Sequence, residues 1–224
     1  MKYDHAVYLM QIGLRKEGHY DGALDGLEGP KTRSALNASR AARFGSITEG
    51  KKADGTRPPR PKPTTASKTA VFGPPGVKGG SSPKKAYFAP PYPMVFSWGG
   101  KVKRIGCHAM IAEPLKAALE EIGKKGKEWI ENHGLNIYAG CYSPRRARGG
   151  RALSDHAWAI AIDLNPDANG LKTTWRPGEK GKNGTLQMPY EAVDIFQDHG
   201  FQVGFATGNG NRRDMMHVAY VDRS

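Results

Sequence analysis

The sequence predicts an α+β protein in which a small all-α module precedes a larger domain of mixed helices and strands. Apolar residues recur at helical spacing near the N-terminus, a proline-rich basic segment follows, and the rest of the chain alternates helix-like and strand-like patterns. We therefore expect three parts: a helical module over 1–45, a linker over 46–89, and an α+β domain over 90–224 with a mixed or antiparallel sheet and flanking helices. Within the last part, the pattern predicts a helix over 111–130, a strand over 137–142 and a helix over 190–199 that ends at Gly200. The apolar stripe of the first of these helices consists of Leu115, Ala118, Leu119 and Ile122.

The composition is strongly basic and only moderately apolar. The chain carries 34 Lys and Arg against 21 Asp and Glu, a net charge of +13. More than half of this excess, nine basic against two acidic residues, falls in residues 46–100. The apolar runs are too short for a membrane span, and the first residues lack the apolar segment of a secretory signal. The two cysteines, Cys107 and Cys141, exclude a disulfide framework but leave open whether they pair.

Residues 1–45 predict two helices joined by a turn-rich segment. The first helical stripe consists of Val7, Met10 and Leu14. The run over 18–33 reads Gly-His-Tyr-Asp-Gly-Ala-Leu-Asp-Gly-Leu-Glu-Gly-Pro-Lys-Thr-Arg, in which Gly and Asp suit tight turns and Pro30 suits the first position of a helix. This run resembles the core of peptidoglycan-binding modules, although residues 37–44 lack the aromatic-Gln ending usual in that family. The resemblance implies wall binding; the alternative is a simple turn between helices.

The composition of residues 46–89 predicts a flexible tether with few apolar side chains to bury. Prolines recur among Lys, Gly, Ser and Thr, at Pro58, Pro59, Pro61, Pro63, Pro74 and Pro75. A flexible segment of this length spans on the order of 40 Å. Its charge suits a solvated linker, nucleic acid or the anionic polymers of a bacterial envelope. Because no aromatic residues alternate with the basic ones, we disfavour a nucleic-acid binder.

Two short patterns carry candidate chemistry. Residues 154–163 read Ser-Asp-His-Ala-Trp-Ala-Ile-Ala-Ile-Asp, and alternation from Ala159 onward predicts a strand with Asp163 on its small-residue face. A buried carboxylate there needs a metal, an Arg or hydrogen-bond donors as its partner. His156, seven residues upstream, could turn back as a second ligand. Residues 214–217, Asp-Met-Met-His, lead into another strand-like segment.

The pattern Ser-x-His-x6-Asp, followed by Asp-x-x-His, resembles the zinc peptidase family of D-alanyl-D-alanine carboxypeptidases and phage L-alanyl-D-glutamate endopeptidases. The resemblance covers roughly residues 90–221. Carried over by position, it assigns the three zinc ligands to His156, Asp163 and His217. It assigns the catalytic carboxylate to Asp214. The family shows Gly where this chain has Ala159, and on the expected strand one added methyl is tolerable.

Two imidazoles and one carboxylate suit a catalytic Zn²⁺, one per catalytic domain, with an open position for a water whose pKa falls to roughly 7. Asp214, on the turn before the strand, is expected near the metal but not bound to it, where a general base belongs. The resemblance places an Arg shortly after a Cys-Tyr strand end, which makes Arg145 the candidate for stabilising an oxyanion, with Arg146 and Arg148 as rivals. We expect Arg146 and Ser154 to contact substrate.

The sequence therefore predicts a monomeric peptidoglycan hydrolase that cleaves a stem-peptide amide with a zinc-activated water. Modular architecture favours an L-Ala–D-Glu endopeptidase, and a D-Ala-D-Ala carboxypeptidase is the alternative. We expect a phage endolysin that is made in the host cytoplasm without a signal peptide and acts on the cell wall. A non-catalytic wall-binding protein is the rival from another class, and Asp214 argues against it because binding alone does not need that carboxylate.

Overall fold

The computed structural model describes residues 3–27, 29, 31–32, 34–36, 38–39, 58–148, 151–171, 173–204, 206–207 and 212–223. The chain divides into two compact units, Met1–Lys51 and Lys52–Ser224. Helices and small sheets are both present, which is consistent with the predicted α+β class. Within the described residues, no helix has the length and apolar content needed to cross a membrane.

The first unit is organised around one buried glutamine. Helix α1 (His5–Lys16) carries Gln11, which is fully buried. The Gln11 amide nitrogen donates to Asp25 Oδ1 (2.9 Å) and to Thr32 Oγ1 (3.0 Å), while its oxygen accepts from the Gly26 amide (2.9 Å). These bonds fold the glycine- and aspartate-rich run against α1, and the residues described between 31 and 39 are again helical. The two predicted helices and the turn-rich segment between them are thus present. Residues 37–44, which lack the aromatic-Gln ending of the family, lie mostly outside the described residues.

The second unit begins with α2 (Thr65–Phe72), β1 (Lys85–Phe88), β2 (Val95–Phe96) and β3 (Ile105–His108). A 3-10 helix, Ala109–Ile111, leads into α3 (Ala112–Gly123), followed by α4 (Lys127–Asn132) and β4 (Ile137–Tyr138). A second 3-10 helix, Asp155–Trp158, precedes β5 (Ala161–Asp163) and α5 (Pro166–Asn169). The last elements are α6 (Tyr190–Asp198), β6 (Gln202–Val203), β7 (Ala206–Thr207), β8 (Arg212–Arg213) and β9 (His217–Ala219).

The strands form small sheets of mixed direction. Strands β1 and β3 pair antiparallel, β2 and β4 pair parallel, and β9 lies between β5 and β6 in an antiparallel sheet. Strands β7 and β8 form a separate antiparallel pair. The core is built from the apolar face of α3, whose buried residues include Leu115, Ala118, Leu119 and Ile122. The predicted apolar stripe of this helix is therefore correct.

Several predicted boundaries need correction. The helix expected over 111–130 is divided into α3 and α4 because Gly126 adopts φ +88°, which favours glycine and interrupts the helix. The strand expected over 137–142 is confined to β4. The predicted end of α6 is correct, because Gly200 lies just beyond the helix and has φ +87°. Both cysteines are free and buried, and burial raises the pKa of each thiol.

The largest correction concerns the predicted linker. Residues 46–57 lie outside the described residues, but residues 58–89 belong to the second unit and contain α2 and β1. We call residues 58–76 the strap. Its Phe72 is buried in the core, Trp158 Nε1 donates to Gly73 O (3.0 Å), and Tyr220 Oη donates to Pro58 O (2.9 Å). This proline-rich segment is therefore held by side-chain hydrogen bonds to its backbone carbonyls and by the buried Phe72, rather than by an apolar stripe.

Candidate metal centre

The His156 motif is a tight turn followed by a short strand. Residues Asp155–Trp158 form a 3-10 helix that is buried throughout, and Ala159 ends it in the left-handed conformation, at φ +56° and ψ +34°. The expectation that Ala159 lies on the strand is wrong; β5 begins at Ala161. Left-handed backbone favours glycine, which explains the Gly of the family pattern, and an alanine there costs roughly 1 kcal/mol.

Strand pairing brings two of the predicted ligands together. In the β5–β9 register Asp163 lies directly opposite His217. Asp163 Oδ1 is 3.2 Å from His217 Nδ1, and Asp163 Oδ2 is 3.2 Å from His156 Nε2. All three residues are buried, and one ligand atom from each lies within 4.8 Å of the others. The turn and the two strands thus build a group that could hold a metal ion.

The position of the proton on the His156 ring also suits metal binding. Its Nδ1 lies 2.6 Å from the carbonyl oxygen of Cys141, which can only accept, so Nδ1 carries the proton and Nε2 the lone pair. Nε2 is buried, and although it lies 3.2 Å from Asp163 Oδ2, it makes no well-aligned hydrogen bond among the described residues. A lone pair of this kind, beside a carboxylate and a second imidazole, is the donor set that zinc prefers.

Asp155 is a site residue that the sequence analysis missed. Its Oδ2 lies 3.1 Å from His217 Nε2, and its other oxygen accepts from Lys68 Nζ at 2.8 Å. Arg223 also contacts Oδ2, at 2.5 Å. Lys68 lies 87 positions upstream of Asp155, so no local pattern could have predicted the pair. Asp155 therefore links the metal group to the strap and to the C-terminal segment.

The charges of the group are strongly coupled. Burial alone would raise the pKa of Asp163, but the imidazoles of His156 and His217 hold it well below its usual range. Burial alone would lower the pKa of His217, but hydrogen bonds to Asp155 and Asp163 raise it to about 9. Without metal, His217 therefore holds a proton near neutral pH. A metal binding at Nδ1 has to displace it.

Asp214 lies close to the metal group, on the same cavity wall as Asp163 and His217. It precedes the turn that leads into β9, and its backbone carbonyl accepts from the His217 amide at 3.0 Å. The side chain is 7% exposed, and Oδ1 has no hydrogen-bond partner among the described residues. Burial raises the pKa of this carboxyl; His217 opposes the shift, and the Asp163 charge adds to it. A buried carboxylate of raised pKa suits proton transfer near neutrality.

Two adjoining cavities, of about 400 and 160 Å³, open onto the metal group. Asp163, Arg145 and Arg148 line both, and Asp214 lines the smaller one. Ser154 is buried at its wall, where its amide donates to Arg145 O (3.0 Å). The structure therefore brings Arg145 and Ser154 to the site, together with Arg148.

Arg146 differs from its neighbours. It is exposed and is not among the residues that line either cavity, and its guanidinium donates to the carbonyl of Arg151 within the same loop. Arg148, by contrast, lines both cavities, and its charge also acts on Asp214. The sequence does not predict which arginines of this loop face the site, because the described part of the loop has no regular secondary structure.

Comparison with known proteins agrees with the zinc peptidase resemblance. Residues 147–220 match a family model described as D-alanyl-D-alanine carboxypeptidase. The matched segment contains the 3-10 turn, β5 and β9, and with them all three metal-facing residues and Asp214. No curated protein and no solved structure matches the chain. The match supports a metallopeptidase that acts on peptidoglycan; the strap lies outside it.

Proposed function

We propose that this chain is a peptidoglycan hydrolase that cleaves an amide bond of the stem peptide with a zinc ion held by His156, Asp163 and His217. The observation that carries the proposal is the buried group of His156, Asp163 and His217 with Asp214 beside it, whose Oδ1 has no hydrogen-bond partner among the described residues. A wall-binding protein without turnover would have no use for a desolvated carboxylate at this position.

Each residue of the site has a role in the proposed hydrolysis. Bound zinc supplies a Lewis acid and lowers the pKa of an attacking water toward neutrality. Asp214 accepts a proton from that water and returns it to the leaving amine, because its raised pKa allows both steps. Arg145 and Arg148, which line both cavities, supply positive charge for the developing oxyanion or for a carboxylate of the substrate. Ser154 orients the Arg145 backbone.

The favoured bond is L-Ala–D-Glu, with the chain acting as an endopeptidase. Two cavities meet at Asp163, which leaves room for peptide on both sides of the scissile bond. The description of the matched family favours the second candidate, a D-Ala-D-Ala carboxypeptidase.

The first unit, with its Gly/Asp run folded on Gln11, would hold the enzyme on the wall. This pairing of a wall-binding unit with a hydrolase suits a phage endolysin that acts on the host wall.

Mass spectrometry of digested peptidoglycan tests this proposal. The wild-type chain, supplied with zinc, is incubated with purified peptidoglycan of defined stem-peptide sequence, and the new amino termini are identified. We expect a new D-Glu amino terminus, which requires cleavage after L-Ala. Released free D-Ala would establish the carboxypeptidase instead. Intact stem peptides, with the protein bound to the wall and loaded with zinc, would contradict both and favour the binding-protein rival.

A further inference from the structure

One lysine of the strap is buried against residues of the His156 motif. Lys68, on α2, is 2% exposed, and its ammonium group is enclosed on three sides. Nζ donates to Asp155 Oδ1 (2.8 Å) and to Leu153 O (3.3 Å), and lies 4.3 Å from the centre of the Trp158 ring. A lysine is rarely buried to this extent without a specific partner. Here the partner is the carboxylate beside His156.

Asp155 contacts both Lys68 and His217. One carboxylate oxygen accepts from Lys68, and the other lies 3.1 Å from His217 Nε2. Because the two oxygens are rigidly joined, fixing one of them fixes the direction of the other. With Nε2 held by Asp155, the opposite ring nitrogen, Nδ1, faces Asp163 and the metal group. Carboxylates in this relation to a ligand imidazole set its tautomer and its orientation.

We propose that Lys68 and Asp155 are positioning residues for the metal centre, and that the strap thereby completes the site from outside the family-matched segment. This inference rests on the proposed function, because it assumes that His217 binds the metal. Lys68 holds Asp155, and Asp155 orients His217 so that Nδ1 points to the ion. Charge balance alone does not account for Lys68, since Arg223 already lies against the same carboxylate at 2.5 Å.

Zinc affinity tests the inference without any substrate. Full-length variants D155N, K68M and the double variant K68M/D155N are titrated with zinc in competition with a chromophoric chelator. The midpoint of thermal unfolding is measured on the same proteins without metal. K62M is the matched control, because Lys62 forms an exposed strap salt bridge, with Asp222 at 2.8 Å. The double variant removes both buried charges, so the test survives if K68M alone does not fold.

We expect D155N to weaken zinc binding about 10- to 100-fold, the usual effect of losing a carboxylate behind a ligand imidazole. In D155N one carboxylate oxygen becomes an NH2 group, which only donates, so either Lys68 Nζ or His217 Nε2 loses its acceptor. K68M should weaken zinc binding in the same direction, and K62M should stay within twofold of wild type. The double variant should match D155N, because Lys68 acts through Asp155.

Two results would overturn the inference. Zinc affinity of D155N within twofold of wild type, with only the unfolding midpoint lowered, would make the pair a structural salt bridge. Additive losses in the double variant would show that Lys68 does not act through Asp155. A wild-type chain that binds no zinc would instead refute the proposed function, so the two failures are distinguishable.

Discussion

Replacing Asp214 by Asn is expected to lower kcat on peptidoglycan by about 10²- to 10⁴-fold while leaving one zinc per chain. The substitution keeps the size of the side chain but removes its ability to take a proton. Asp214 is not among the three metal-facing residues, so the ligand set remains intact. Because the carboxylate is buried and its Oδ1 has no hydrogen-bond partner among the described residues, an amide also fits without breaking a hydrogen bond at that atom.

The measurement is the initial rate of amine release from peptidoglycan, with zinc content determined on the same samples. Asp167→Asn is the matched control, since Asp167 is an exposed aspartate on the nearby α5 and should be without effect. Activity of D214N within a few-fold of wild type would refute the general-base role. A loss of zinc together with activity would place Asp214 among the ligands.

The second large effect concerns the start of the catalytic unit. A fragment over 58–224 is expected to fold, whereas a fragment over 90–224, the domain predicted from sequence, is expected not to. The shorter fragment loses Phe72 from the core, a truncation that typically costs about 3–5 kcal/mol. It also loses Lys68, and breaking a buried ion pair costs a further 3–5 kcal/mol or so. Together these approach the whole stability of an ordinary domain, about 5–15 kcal/mol.

Loss of β1 adds to this deficit, because the buried strand β3 is left without its partner. Cooperative thermal unfolding, followed by circular dichroism, distinguishes the two fragments, with the full-length chain as the reference. A cooperative transition of the 90–224 fragment near that of the 58–224 fragment would show that the strap is dispensable for folding.

The three residues of the metal group could be predicted from sequence because their spacing resembles the motif of the zinc peptidase family, and local geometry supported the placement of two of its segments. Strand alternation puts Asp163 on one face of β5, and the short Asp-x-x-His segment leaves Asp214 on a turn and His217 on a strand. Such features depend on a few neighbouring residues and on a backbone with fixed periodicity. The apolar stripe of α3 followed from the same kind of argument.

The remainder depended on contacts that sequence periodicity does not encode. Lys68 and Asp155 are far apart in the chain, and nothing in the strap's proline-rich composition indicates that it is folded against the core. Ala159 was placed on the strand because its apolar neighbours alternate, yet the backbone turns through the left-handed region there. Arg148 lines the cavities and Arg146 does not, because an irregular loop decides which side chains face them.

The central claim is that one zinc ion, held by His156, Asp163 and His217, drives hydrolysis of the wall peptide. Its most direct test is a zinc titration of chelator-treated, full-length protein, with the rate of amine release from purified peptidoglycan recorded at each step. We expect no activity without metal, a linear rise, and a plateau at one zinc per chain. Full activity in the zinc-free protein, or none with one zinc bound, would contradict the claim.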